Sequence, residues 1–284
     1  MVVQKFGGTS VADVDAITRL IAIVRTARAR DGRGPAVVVS AMSGVTDVLL
    51  RLAADAAAGH PNEALASLQE LRRRHAEAAR VLAADDHALP GQLSRELDRV
   101  ESVLGALAVL RDVSPRTLDL VAATGELLTS RIVTSALRQA AVPAVWVDAR
   151  DVVITSGEHT RAVPLLPETT AAMRTRIVPS LDAGEVPVVG GFVGATVQGQ
   201  TTTLGRGGSD YSAALVGAGV GADEIQIWTD VDGMLTADPR VIGSPGWCRC
   251  CHSRRRRNWR TSARRCCTPV PCCRRSSGTF RFAS

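Results

Sequence analysis

Residues 35–41 read PAVVVSA, an apolar run too short for a helix and with no polar side to turn toward water. Such a run suits a strand buried on both faces, and strands of that kind belong to parallel sheets covered by helices on either side. The rest of the chain repeats the pattern. Residues 2–6 form another short apolar run, followed by the glycine pair Gly7 and Gly8 and by Thr9 and Ser10, either of which can cap a helix running through Ile17, Leu20, Ile21 and Val24. Residues 42–46 lead into another helix. Ser114 and Pro115 open a further one with a cap and a first-turn proline. Strands at about 144–148, 186–190 and 224–229 then alternate with helices beginning near Pro167 and Ser209. Between about Glu63 and Arg111 the pattern is helical, charged and rich in arginine, so a helical insertion is expected near 60–112. The prediction is an α/β fold: a three-layer α/β/α sandwich with a mainly parallel sheet.

Aromatic residues make up only 3% of the 284 residues against 45% hydrophobic overall. The core is therefore aliphatic, as helices packed on a parallel sheet require. The formal charge of +6 would ordinarily suggest a polyanionic partner. Its distribution argues otherwise. Residues 243–284 hold 11 arginines and no acidic residue, which leaves −5 for residues 1–242. All seven cysteines, Cys248, Cys250, Cys251, Cys266, Cys267, Cys272 and Cys273, also lie in that tail. The chain opens on a strand without the stages of a secretory leader and has no apolar run of about 18 residues, so a cytoplasmic protein with no membrane partner is expected.

Three constellations carry chemistry. In KFGGTSV, two glycines at a strand end allow a backbone to approach an anion, and Lys5 is the only lysine in the chain. A chain that otherwise uses arginine everywhere has kept a compact ammonium at one place, as a phosphate oxygen requires. The spacing is not that of a Walker P-loop. In TTTLGRGGSDYSAAL, residues 201–215, a hydroxyl-rich loop precedes a helix capped by Ser209. Arg206 sits between glycines, free to grip a carboxylate in bidentate fashion, and Asp210 is placed either to complement the helix dipole or to orient Lys5. In WTDVDGMLTADPR, residues 228–240, Asp230 and Asp232 either bind a metal or form turns. Glu126 in ATGELLTSR reads as an acid at a helix start. Ser40 and Thr46 flank the turn SAMSGVT.

In this order and at these separations, KFGGTSVAD, VVVSAMSGVTD, ATGEL, TTTLGRGGSDYSAAL and WTDVDGMLTADPR resemble the aspartate kinases of the amino-acid kinase family. The resemblance covers residues 2–242. It implies transfer of the ATP γ-phosphoryl group to the β-carboxylate of L-aspartate, the first step toward lysine, threonine and methionine, with Mg2+ carried on the nucleotide. Carried over by residue, it puts Lys5, Phe6, Gly7, Gly8, Thr229, Asp230 and Arg240 at ATP. Ser40, Thr46, Glu126, Arg206, Gly207, Gly208 and Ser209 fall at the amino acid. Among these, Arg206 holds the α-carboxylate and Glu126 meets the ammonium group. Lys5 stabilises charge on the transferring group, and Asp210 orients the catalytic groups. Leu235 stands where many members have tyrosine, which implies weaker nucleotide binding. For full-length relatives the resemblance also implies homo-oligomers, and it leaves the state of this chain open. The other readings are a related carboxylate kinase, such as one acting on glutamate, and a non-catalytic binding remnant.

The pattern of the family breaks after Ile242. There its members continue as ARLVPVLSF and GAKVLHPR, whereas this chain reads GSPGWCRCCHSRRRRNWRTSARRCCTPVPCC. Shifting the codons by one base lets residues 245–253 encode the first string and 262–275 the second, and each Cys or Trp forces an off-frame codon for Leu, Val or Met. Residues 243–284 are therefore expected to be an out-of-frame, disordered tail on a catalytic domain of residues 1–242, with the regulatory domains absent. The cysteines lack the spacing of a zinc site, and no nucleic-acid partner is expected for the Arg254–Arg257 run.

Overall fold

The computed structural model describes residues 1–229 and the backbone of 278–283. The first half comprises β1 (Val2–Phe6), α1 (Val14–Asp31), β2 (Ala36–Val39), α2 (Val45–Ala58), α3 (Pro61–Leu82), α4 (Leu89–Leu110) and α5 (Pro115–Gln139). There follow β3 (Ala144–Val147), β4 (Ile154–Thr155), α6 (Leu166–Arg176), α7 (Val178–Asp182), β5 (Val186–Gly190) and β6 (Val193–Thr196). Last come β7 (Thr201–Thr203), α8 (Gly208–Val220), β8 (Glu224–Thr229) and β9 (Gly278–Ala283). The main sheet has the order β3-β5-β2-β1-β8-β9; its first five strands are parallel and β9 is antiparallel to β8. A small second sheet, β4-β6-β7, was not foreseen, and the hydroxyl-rich stretch read as a loop supplies its strand β7.

The valine run decides the layering. All four residues of β2 have no exposed surface. Because side chains alternate along a strand, Val37 and Val39 join a core with α1 to α5, while Ala36 and Val38 join one with α6 to α8. The same alternation turns Val3 of β1 toward the α8 side and Phe6 toward the other. The predicted insertion is the pair α3 and α4. Its arginines are spent largely on ion pairs: Arg72 reaches Ser94, Asp98 and Glu101 on α4, and Arg73 and Arg80 pair with Glu70 and Glu77 on the exposed face. Exposed pairs of this kind contribute little individually. The packing of Leu68, Leu71, Leu93, Leu97, Val100 and Leu104 holds the pair in place.

Two predicted caps are corrected. Asp13 caps α1, its carboxylate accepting from the Ala16 amide at 2.8 Å, and a 3-10 turn at Gly8–Val11 separates it from the glycines. Ser10 instead donates to the Trp228 carbonyl at 3.2 Å. At α8 the residue before the helix is Gly207, in the left-handed region at φ 73°, so Ser209 lies inside the first turn and caps nothing. The tail, expected to be disordered, supplies β9, whose six residues pair with β8 from Glu224↔Ala283 to Thr229↔Gly278. An uncovered β8 would leave a row of unpaired main-chain groups, which gives even an unrelated segment a reason to pair there. The rest of that tail lies outside the described residues.

Gly125, in the middle of α5, lets the helix close on the segment after β2. A Cβ there would sit 2.9 Å from Ala41 Cβ and 3.1 Å from Val45 Cγ1. In an open helix interior, Gly→Ala stabilises by about 1 kcal/mol. Overpacking costs about 1–3 kcal/mol, so Gly125→Ala is expected to destabilise the fold by about 1 kcal/mol in urea unfolding monitored by circular dichroism. A more stable variant would contradict this close approach.

Candidate active site

The five parallel strands run in one direction, so their C-terminal ends open on one mouth. β1 has β2 on one side and β8 on the other, and a reversal of winding of this kind leaves a crevice at the strand ends. The turn after β1, the corner after β2 and the end of β8 meet there. The Gly7 amide donates to the Trp228 carbonyl at 3.1 Å, and the Ser40 amide donates to the Phe6 carbonyl at 3.1 Å. A Cβ on Gly8 would lie 3.2 Å from the Ala41 carbonyl oxygen. Phe6 itself is fully buried and stacks on Trp228 with ring centroids 6.0 Å apart, so only its main chain borders the mouth.

Lys5 is 7% exposed, on the α8 side of β1, and its Nζ lies 2.7 Å from Oδ1 of Asp210 in the first turn of α8. The sequence left open whether Asp210 serves the helix dipole or Lys5. Its position serves both. A side chain of this charge, buried this deeply, calls for a counter-ion, and Asp210 supplies it. The pair also brings the ammonium beside Gly7, whose Cβ position lies 3.6 Å from Nζ, so nothing larger than hydrogen screens it there.

Glu126 is corrected in place. It sits in the middle of the 25-residue α5, far from the helix start, and so receives nothing from the positive end of the helix dipole. It is 4% exposed, and its Oε2 has no hydrogen-bond partner. Burial pushes its carboxyl up to about 8, with the Ala41 amide opposing the shift without offsetting it. Its surroundings are the ends of two strands: a Cβ on Gly190, the last residue of β5, would lie 3.2 Å from the Glu126 Cβ and carbonyl oxygen. The next glycine, Gly191, brings β5 against α8, its Cβ position falling 2.8 Å from Ser209 Cβ. Lys5, Asp210, Ser209, Glu126 and the Ser40–Ala41 corner thus follow one another around one opening. Ser40 and Thr46 are half-buried, Thr46 in the first turn of α2.

The GRGG loop crosses from β7 to α8. Gly205 and Gly207 are both left-handed, at φ 74° and 73°, and between them Arg206 is exposed and makes no ion pair among the described residues. Gly208 is buried against Phe192. Thr229 ends β8 next to the glycine turn. Asp230, Asp232, Leu235 and Arg240 lie outside the described residues. Among the described residues, no group of three or more His, Cys, Asp or Glu could hold a metal ion, and no helix is long and apolar enough to cross a membrane.

The sequence reading passed over Gly190 and Gly191, which become visible only when strand ends are brought against helices. It also passed over Asp119. This residue is 1% exposed in α5 and accepts hydrogen bonds from the Thr203 hydroxyl at 2.5 Å, the Thr160 amide at 3.0 Å and His159 Nδ1 at 2.7 Å. A charged residue in an otherwise apolar helical stretch was the available signal.

Comparison with known proteins places the chain in a family. The chain is 36% identical over 244 residues to lysine-sensitive aspartokinase 3 of Escherichia coli, covering 86% of this chain and 52% of that protein. It is 35% identical over 243 residues to an aspartate kinase of Pseudomonas fluorescens, covering 85% and 45%. The crystal structure of E. coli aspartokinase III in complex with aspartate and ADP superposes with a TM-score of 0.77 at 34% identity, over 89% of this chain and 54% of that one. The chain spans about half the length of the relatives it matches. Residues 1–245 conform to the model of the amino acid kinase family, which takes in the whole of the parallel sheet and the mouth at its strand ends, and the chain belongs to that family.

Proposed function

We propose that this chain is an aspartate kinase catalytic unit, which binds ATP and L-aspartate and transfers the γ-phosphoryl group to the β-carboxylate. The observation that carries the reading is the meeting, in one mouth, of a lone lysine held by Asp210 and a buried carboxyl at Glu126 with an unpartnered oxygen. The lysine suits phosphate. The carboxyl suits an ammonium group. An amino acid bound by its ammonium at Glu126 and its α-carboxylate at Arg206 turns its side chain toward Lys5, where Gly7 and Gly8 admit phosphates close to the backbone. Ser40, Thr46, Gly207, Gly208 and Ser209 line the amino-acid side and Thr229 the nucleotide side, and the same reading assigns nucleotide contacts to Asp230 and Arg240, outside the described residues.

The substrate carboxylate is already ionised and needs no general base. One of its oxygens attacks the γ-phosphorus in line as the bond to the ADP oxygen breaks, giving 4-phospho-aspartate and ADP. The protein's part is positioning and charge: Lys5 stabilises negative charge on the transferring group, and Asp210 keeps the ammonium aimed. Mg2+ enters on the phosphates of the nucleotide, where it neutralises charge. A cytoplasmic place at the head of lysine, threonine and methionine synthesis belongs to the same proposal.

Trapping the acyl phosphate as a hydroxamate tests the reading directly. Aspartate is expected to give product and glutamate little. Lys5→Ala is expected to lower kcat by about 10²–10³-fold, the usual cost of removing one charge-stabilising donor. Preferential turnover of glutamate would transfer the assignment to a glutamate-type kinase, and failure to bind either substrate would mark a non-catalytic remnant.

Glu126 supplies a second test. Its carboxyl is neutral in the folded, ligand-free chain up to about pH 8, whereas in the unfolded chain it ionises near its ordinary 4.5. The unfolded state therefore binds fewer protons across this window, and stability is expected to fall as pH rises from about 5 to 8, by at most about 1.4 kcal/mol per pH unit. Glu126→Gln should flatten that slope in thermal melts. The ammonium of bound aspartate favours the ionised form, so calorimetry at pH 6.5 in buffers of differing ionisation enthalpy should detect about one proton released per aspartate bound, and none in Glu126→Gln. Equal proton release in both would remove Glu126 from the amino-acid site.

A further inference from the structure

Two carboxylates on α5 lie seven residues apart. Seven residues is almost two full turns, so Asp119 and Glu126 share one face of the helix, separated by about 10 Å along its axis. Glu126 lies at the ends of β2 and β5, while Asp119 is met by a different part of the chain. The Thr203 hydroxyl, the Thr160 amide and His159 Nδ1 all converge on its buried carboxylate.

Both segments lead to Arg206. Thr203 is the last residue of β7 and stands three residues before Arg206. Its carbonyl oxygen accepts from the Ala162 amide at 2.8 Å, and the next amide, Leu204, donates to the Phe192 carbonyl at 2.9 Å. Thr160 is held in the left-handed region at φ 68°, an uncommon state for a β-branched residue, and its carbonyl oxygen lies 3.2 Å from the Cβ position of Gly205. The loop that carries the exposed guanidinium therefore rises from a base fixed on two sides, and both fixings end on Asp119. An exposed arginine on a glycine-flanked loop has many conformations open to it, and only such a base limits them.

We propose that Asp119 is a positioning residue for the amino-acid substrate: through Thr203 and Thr160 it anchors the Gly205–Arg206–Gly207 loop to α5, so that one rigid helix sets the span between Glu126 and Arg206. This rests on the reading of those two residues as the ammonium and α-carboxylate contacts. The helix acts as a ruler for the substrate. Its rigidity discriminates between amino acids by where their side-chain carboxylate falls once both ends of the backbone are held.

The test uses the full chain with Asp119→Asn and the milder Thr203→Val, which removes a single hydrogen bond and keeps the side-chain shape. In both, hydrogen–deuterium exchange is read by mass spectrometry, and the affinities for aspartate and ADP are measured by calorimetry. Asp119→Asn is expected to speed amide exchange about tenfold in peptides covering 157–162 and 203–208 while leaving β1 and β8 as in the parent. It should weaken aspartate binding about tenfold and leave ADP binding within twofold. Thr203→Val should show the same pattern at two- to threefold. Unchanged exchange at 203–208 in both variants, or a rise spread evenly through the chain, would overturn the proposal. Equal loss of aspartate and ADP affinity would overturn it as well. Arg206→Ala separates the two levels: it should lose aspartate affinity with 157–162 as protected as in the parent. A parent chain that binds no aspartate refutes the kinase reading, and the exchange pattern then decides the anchoring by itself.

Discussion

A strand inside a sheet satisfies its main-chain groups only against a neighbour on each edge, and with helices on both sides it has no face left for water. That constraint governs this molecule. β2, with no exposed surface, needs β1 and β5 beside it and an apolar layer above and below. The connections then have to be helices, and every parallel strand ends at the same rim. The mouth holding Lys5, Asp210 and Glu126 is a by-product of this requirement, since strand ends are where the main chain stops pairing and loops begin.

The charges at that rim differ in kind. Lys5 and Asp210 form an ion pair across 2.7 Å, next to a glycine turn that offers no side chain. Glu126 has no such partner and answers burial by holding its proton. One side of the opening thus carries an ion pair, whereas the other holds a buried carboxyl without one. Asp119 shows a third outcome on the same helix. Equally buried, it is surrounded by donors and serves the architecture of the loop above it.

Close approaches around Glu126 depend on residues without side chains. Gly125 lets α5 approach the segment after β2, and Gly190 lets the end of β5 lie against Glu126. Leaving out a Cβ costs helix propensity or chain entropy locally, and at these positions the cost is offset by closer packing of the elements that carry the functional groups.

Much of this was legible in the residues themselves. Short valine runs punctuated by glycine specified the parallel sheet, because the period and length of an apolar stretch are local properties. The solitary lysine, in a chain that otherwise uses arginine, stood out by its residue type alone, and the structure buries it against Asp210. Sequence went wrong where local rules compete. Ser10 and Ser209 have the chemistry of caps, but Asp13 and Gly207 hold those places. Glu126 looked like a helix-start acid because its helix was not traced back to Ser114. What tertiary structure alone decided was which distant groups meet: Lys5 with Asp210, Gly190 with Glu126, and Asp119 with Thr203 and Thr160. Local pattern is written in neighbouring residues. Burial, ionisation and the meeting of loops depend on how layers pack, and that packing brings together residues separated by up to about 200 positions in the chain.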